Sequence, residues 1–185
     1  MIKPWFKAMS EDDLEIVFKW RRSDHVQSRM FTEVGDDFEK HREWFTSFCA
    51  KKDRRFWIIM VDDIPIGAAN YKEVEGENGR ILEVGFYIGD SRYINLAGFV
   101  LPYFYHHVFE NICCEKVVGE VLVGNPILNM HAFHGYDIGG AKAVDNRRGA
   151  TISVVPVALS RENWRKRMKG KAYVTEFLDC VSPTF

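Results

Sequence analysis

The chain has 185 residues, 46% of them apolar and 14% aromatic, and its 25 Lys and Arg against 26 Asp and Glu leave a formal net charge of −1. That composition supports one domain with a sizeable core and excludes a disordered chain. Balanced charge argues against a nucleic-acid partner, since whole-domain basicity is the usual footprint of such proteins, and no apolar run reaches the ~20 residues that cross a bilayer.

Residues 2–8 are short and mixed, as an edge strand would be. Ser10 and Asp13 have capping-box spacing, and Leu14, Val17 and Phe18 supply the helical stripe of a first helix running to about Arg21. A second helical turn is expected over Ser23–Met30 and a longer helix over Asp37–Cys49. The apolar run Arg55–Val61, the turn signal Asp62-Asp63 and Ile66–Tyr71 read as a hairpin. Arg80–Gly89 is the clearest strand, with Leu82, Val84, Phe86 and Ile88 on one face and Ile81, Glu83, Gly85 and Tyr87 on the other. A loop over Asp90–Ala97 leads into an aromatic-rich helix, Gly98–Phe109, with Pro102 expected near its first turn. Lys116–Val123 reads as a buried strand, and Asn125–His134 as a short helix stopped by Gly135. Ile138–Val144 and Thr151–Leu159 make a last hairpin, followed by a basic helix over Arg161–Met168. The order predicts an α/β domain with a mixed, mostly antiparallel sheet flanked by helices.

Cys49 and Cys180 are isolated, Cys113 and Cys114 are adjacent, and there is no C-x-x-C pair. With no glycosylation sequon and no apolar stretch of signal-peptide length in residues 1–10, these features predict a cytoplasmic protein with reduced thiols. His131 with His134, and His106 with His107, lack a Cys or acid at ligand spacing, so no metal is expected.

The junction from Arg80–Gly89 through Asp90–Ala97 into a helix is a ready anion site, because helix N-termini gather unpaired N–H groups and partial positive charge. In that setting Arg92-Tyr93-Ile94-Asn95-Leu96-Ala97 resembles the (Gln/Arg)-x-x-Gly-x-(Gly/Ala) pyrophosphate loop of the GNAT superfamily, the acyl-CoA-dependent N-acyltransferases. Arg92 and Ala97 match, while Asn95 stands where the family has Gly. Leu82–Ile88 is similar to the family's central strand, Val117–Val123 with Asn125 to its fifth strand and the Asn opening the next helix, and His134-Gly135-Tyr136 to the Gly-Phe that ends that helix. The likeness covers roughly residues 2–160 and implies a GNAT domain there, with 161–185 as a basic C-terminal extension packed on it or trailing it.

Within the superfamily, Phe18-Lys19-Trp20-Arg21-Arg22, the pair Met30-Phe31 and the helix holding His41, Trp44 and Phe45 look like the pseudaminic-acid-pathway N-acetyltransferases, which act on an amino group of a nucleotide-linked sugar. The first of these segments also resembles ribosomal-protein N-terminal acetyltransferases; Arg22 replaces an Asn in both. The resemblance implies acetyl-CoA as co-substrate and direct attack by a primary amine of a small molecule, preferably a nucleotide-linked amino sugar. It implies Trp20, Arg21, His25 and Trp44 on the acceptor side. For CoA it implies the strand residues Phe86, Tyr87 and Ile88, the turn residues Arg92 to Ala97, then Gly98 and Asn125.

The reaction needs a base for the amine, a donor for the oxyanion and an acid for the departing thiolate. Glu83 is the expected base and the backbone of Phe86 to Ile88 the expected donor. His131, with His134 as fallback, is the expected acid, at helix positions where the family often has Tyr. Protein N-terminal acetylation and a catalytically degenerate CoA-binding module are the alternative readings. Either a monomer or a homodimer is compatible with the chain.

Overall fold

A computed structural model describes residues 3–32, 34–76, 79–145 and 150–168. The elements are β1 (Pro4–Ala8), α1 (Leu14–Arg22), α2 (Asp24–Gln27), α3 (Phe38–Cys49), β2 (Arg54–Val61), β3 (Ile64–Val74), β4 (Ile81–Ile88), α4 (Ala97–His106), β5 (Lys116–Leu122), α5 (Ile127–His134), β6 (Asp137–Ile138), β7 (Lys142–Asp145), β8 (Thr151–Ser160) and α6 (Arg161–Met168). The strands form one sheet in the order β1-β2-β3-β4-β5-β8-β6, with β7 also on β8. Every pairing is antiparallel except β4 with β5.

Both faces of the sheet are covered, which explains why β2 reads as an unbroken apolar run. Trp57, Ile59 and Val61 face the core shared with α4 and α6, and Phe56, Ile58 and Met60 face the core shared with α1 and α3. The predicted alternation in β4 follows the same logic. Leu82 and Ile88 join the first core, and Tyr87 joins the second.

Local signals set the ends. The Ser10 amide and hydroxyl both donate to the Asp13 carboxylate, which also pairs with Lys7 at 2.6 Å. The Asp37 carboxylate accepts from the Glu39 and Lys40 amides and caps α3. The Asn125 side chain accepts from the Ile127 amide at 3.1 Å, and Gly135 ends α5 at φ 88°, a conformation that costs glycine nothing.

One stretch departs from expectation. The segment 90–97, expected as a loop, winds into a 3-10 helix over Ser91–Leu96 that runs straight into α4. Asp90 drives this by accepting the Arg92 amide at 3.0 Å as a cap. Helix therefore begins earlier than expected, and Pro102 sits well inside α4 instead of near its start, where it removes the bond the Gly98 carbonyl would receive. A π-helical turn over His107–Asn111 then closes the element.

Residues 161–168 pack onto the domain. Trp164 is 1% exposed, with its ring 6.1 Å from Phe109 and 5.6 Å from Tyr105, and Met168 lies in the same core. The remainder of the basic segment, including Lys169 and Lys171, lies outside the described residues. Trp164→Ala should cost about 3–5 kcal/mol, or roughly 10 °C in Tm for a chain of this size. A thermal melt within 2–3 °C of wild type would show that α6 adds little to the core.

Candidate active site

The parallel pairing of β4 with β5 covers Ile81, Leu82 and Glu83 opposite Lys116, Val117 and Val118, and then stops. Beyond that point the strands part. Their backbone orientation follows from three contacts. The Arg80 carbonyl accepts the Glu115 amide on the β5 side, while the Ile66 carbonyl of β3 accepts the Gly89 amide and the Tyr87 carbonyl lies against Gly67 of β3. Strand alternation then turns the amides of Phe86 and Ile88 towards the gap. These are edge N–H groups with no strand opposite them.

The gap widens into a cleft of about 1390 Å³ that reaches from α1, α2 and α3 across the split to α4 and α5. Glu83, Phe86, Tyr87, Ile88, Ile94, Ala97, Asn125 and His131 line it, as do Arg21, His25 and Trp44. Glu83 is exposed and stands opposite Lys72 of β3 in the ladder.

On the α1–α3 side, the half-buried Arg21 guanidinium donates to the Thr32 carbonyl at 2.9 Å and hydroxyl at 3.0 Å, and lies 6.0 Å from the centre of the Tyr87 ring. Desolvation lowers its pKa, and Tyr87 opposes that. Burial raises the pKa of Tyr87 despite Arg21. His41 has its pKa lowered, first by burial and then by Arg21. Trp44 stacks on His41 at 5.1 Å and is 40% exposed.

On the α4–α5 side, the ring of His131 lies 4.4 Å from that of Tyr136, and its Nδ1 is 3.5 Å from the Tyr105 hydroxyl. Burial, and secondarily His134, pushes the pKa of His131 down to about 4. Burial raises both tyrosines.

Residues 5–127 match the family described as the acetyltransferase (GNAT) domain. The chain belongs to the GNAT acetyltransferase family. It is thus an N-acetyltransferase that moves an acetyl group from acetyl-CoA to an amine. No curated protein matches the chain. Among solved structures, the spermidine N-acetyltransferase from Vibrio cholerae in complex with CoA and spermine is similar with a TM-score of 0.77 and 16% identity, over 88% of this chain and 98% of that one. The aminoglycoside acetyltransferase AAC(6')-Ib, in complex with ribostamycin and coenzyme A, has a TM-score of 0.74 and 16% identity, over 92% of this chain and 99% of that one. A Bacillus halodurans protein has a TM-score of 0.77 and 13% identity, over 90% of this chain and 88% of that one. At such identities the likeness is one of fold.

Several of the expected site residues do not line this cleft. Trp20 is buried, with its ring filling the space a Cβ on Gly89 would need, so it supports the end of β4 from within the core. Arg92 folds back on Asp90 at 2.6 Å and holds that carboxyl below its usual range. Tyr93 and Leu96 pack against the core, and Gly98 leaves room for the Met130 methyl of α5. Asn95 lies in the 3-10 winding and is not among the non-glycine residues with positive φ, Asp62 and Cys113, so its tolerance of left-handed backbone is not drawn on. His134 is buried behind the cleft wall, against Tyr105 and Phe133.

His41, Tyr105 and Tyr136 were not marked by the sequence as parts of the cleft. They lie far apart in the chain and come to the cleft from opposite sides, His41 on α3 and Tyr105 and Tyr136 by α4 and α5, so only tertiary packing brings them to it. Among the described residues, no group of three His, Cys, Asp or Glu side chains is placed to hold a metal ion, and no helix is long and apolar enough to cross a membrane.

Two buried histidines make stability depend on pH. His131 and His107 both titrate near 4 in the folded chain, chiefly through burial, against about 6.5 when unfolded. Between those values the unfolded chain binds more protons, so their contribution is complete above pH 6.5 and is lost as pH falls towards 4. The urea midpoint should fall from pH 7 to pH 4.5, on the order of 1–3 kcal/mol per histidine, and fall less in His131→Gln. An equally steep decline in that variant would remove His131 from the account.

Proposed function

We propose that this GNAT domain acetylates the primary amine of a nucleotide-linked amino sugar, in the cytoplasm. The observation that carries the reading is the character of the acceptor wall. It joins the open ring of Trp44 to the guanidinium of Arg21, which has no carboxylate partner among the described residues. An aromatic face with a nearby cation suits a base attached to phosphates. The solved neighbours named above carry spermine and ribostamycin, polycations that such a wall would repel.

The residues present suit acetyl-CoA. Phe86 and Ile88 offer unpaired amides at the split, Ile94, Ala97, Asn125 and Ile127 line the cleft beside them, and the start of α4 supplies positive potential for a diphosphate. We assign the diphosphate to residues 92–98, where Arg92 exchanges Asp90 for phosphate oxygens. When bound, the co-substrate supplies an acetyl group activated as a thioester.

Glu83 takes the proton from the acceptor's ammonium, directly or through one water, and frees the nitrogen lone pair to form the new C–N bond. The Phe86 and Ile88 amides stabilise the negative charge that develops on the acetyl oxygen as the C–N bond forms; when that tetrahedral adduct collapses the C–S bond breaks, and the nitrogen's second proton passes to solvent. His131, neutral near pH 7, acts as an N–H donor to the departing sulfur instead of as an imidazolium acid. The thiolate collects its proton from solvent.

Glu83→Gln should lower kcat by about 10²–10⁴, with the largest loss at low pH, where free amine is scarce. A pH–rate profile of unchanged shape would remove Glu83 as the base. For the acceptor, thiol release should be at least tenfold faster, as kcat/KM, with a nucleotide-linked amino sugar than with spermidine, an aminoglycoside or a peptide amine. Preference for the peptide would support N-terminal acetylation, and thermal stabilisation by acetyl-CoA without thiol release from any amine would support a binding module.

A further inference from the structure

The α1–α3 side of the cleft contains polar atoms with no partner. His41 and Tyr87 are each more than nine-tenths buried, and His41 Nε2 and the Tyr87 hydroxyl have no hydrogen-bond partner. His25, itself half-buried, also has no hydrogen-bond partner at Nε2. All three residues line the cleft with Arg21. A buried donor left unsatisfied is costly, so several on one wall point to a group they are built to meet.

The identity of that group follows from charge. Arg21 reaches neutral oxygens of Thr32, so its positive charge is uncompensated by any carboxylate among the described residues. Arg29 adds a second cation to the lining, while Lys40 stands 3.7 Å from Asp37 and is largely offset by it. Tyr87 and His41 offer a hydroxyl and a ring N–H beside that guanidinium. One cation flanked by neutral donors in a desolvated wall matches an oxyanion and opposes an ammonium.

We propose that Arg21, His41 and Tyr87 form a seat for an oxyanion carried by the acceptor, a phosphate or a carboxylate, and that this seat selects anionic amines over polyamines. The inference rests on acetyl transfer in this cleft with the acceptor entering from the α1–α3 side. It adds which side chains choose the acceptor and by what chemistry. His25 borders the seat towards Asp90.

The test is calorimetric titration of the full chain saturated with CoA, so that the co-substrate's own phosphates are accounted for. The probes are UDP, succinate and spermidine. UDP should bind, more weakly as salt is raised, and Arg21→Gln should weaken it at least tenfold. Arg21→Lys, which keeps the charge but loses the planar fork, should recover part of that loss. If Arg21→Gln does not fold, Tyr87→Phe keeps the ring and the strand amide and should still lose affinity several-fold. Binding of succinate but not UDP would support the oxyanion seat and refute a nucleotide-linked acceptor. Spermidine binding in preference to both anions, or wild-type UDP affinity in Arg21→Gln and Tyr87→Phe, would overturn the seat. Thiol release from spermidine alone would overturn the acceptor assignment as well.

Discussion

The chemistry of this chain depends on a ladder that ends early. β4 and β5 share three residue pairs, and beyond Glu83 and Val118 they diverge. A buried strand that lost its neighbour would ordinarily carry orphaned amides at a cost. Here the loss sits at the centre of the molecule, flanked on one side by β3, which holds β4 in register from Val74 opposite Ile81 to Gly67 opposite Ile88. The rigid β3 partnership fixes where the free edge points. The divergence from β5 makes room for substrates beside it. Glu83 stands at the last paired position, so the expected base lies where the walls begin to separate.

Two chemically different walls meet at that split. The α4–α5 wall is a dense aromatic and imidazole packing in which burial holds His131 neutral and Tyr105 and Tyr136 protonated. The α1–α3 wall carries a permanent cation, Arg21, set among rings. The same β4 residues separate them by alternation: Phe86 packs towards the core of α4, and Tyr87 towards that of α1 and α3. A single strand thereby separates the two walls.

Much of this could be read from the residues. Alternation in Arg80–Gly89 set the faces of β4, the Ser10–Asp13 spacing placed the start of α1, and Gly135 marked the end of α5. The family resemblance in residues 82–98 drew attention to the backbone of Phe86 to Ile88 and to Glu83, both of which line the cleft. What the chain did not disclose has specific causes. Nothing local in Asp90–Ala97 told a loop from a 3-10 helix, because the deciding contact is one carboxylate, Asp90, that caps its own neighbour and draws Arg92 away from the cleft. Trp20 has the composition of an acceptor platform, yet the absent side chain of Gly89 drew it inward. His41 and Tyr87 share a wall through tertiary packing alone, across 46 positions of sequence.

The margins of the sheet have a consequence of their own. β1 is a five-residue edge that opens with Pro4, which has no amide to donate, and carries Lys7. At the opposite margin, β8 is covered by β6 and β7, strands of two and four residues. Neither border presents a long, flat row of free backbone groups to another molecule. The exposed backbone is thus kept in the interior notch, where solutes of the right shape reach it, and the fold guards itself against fibrous aggregation without closing into a barrel.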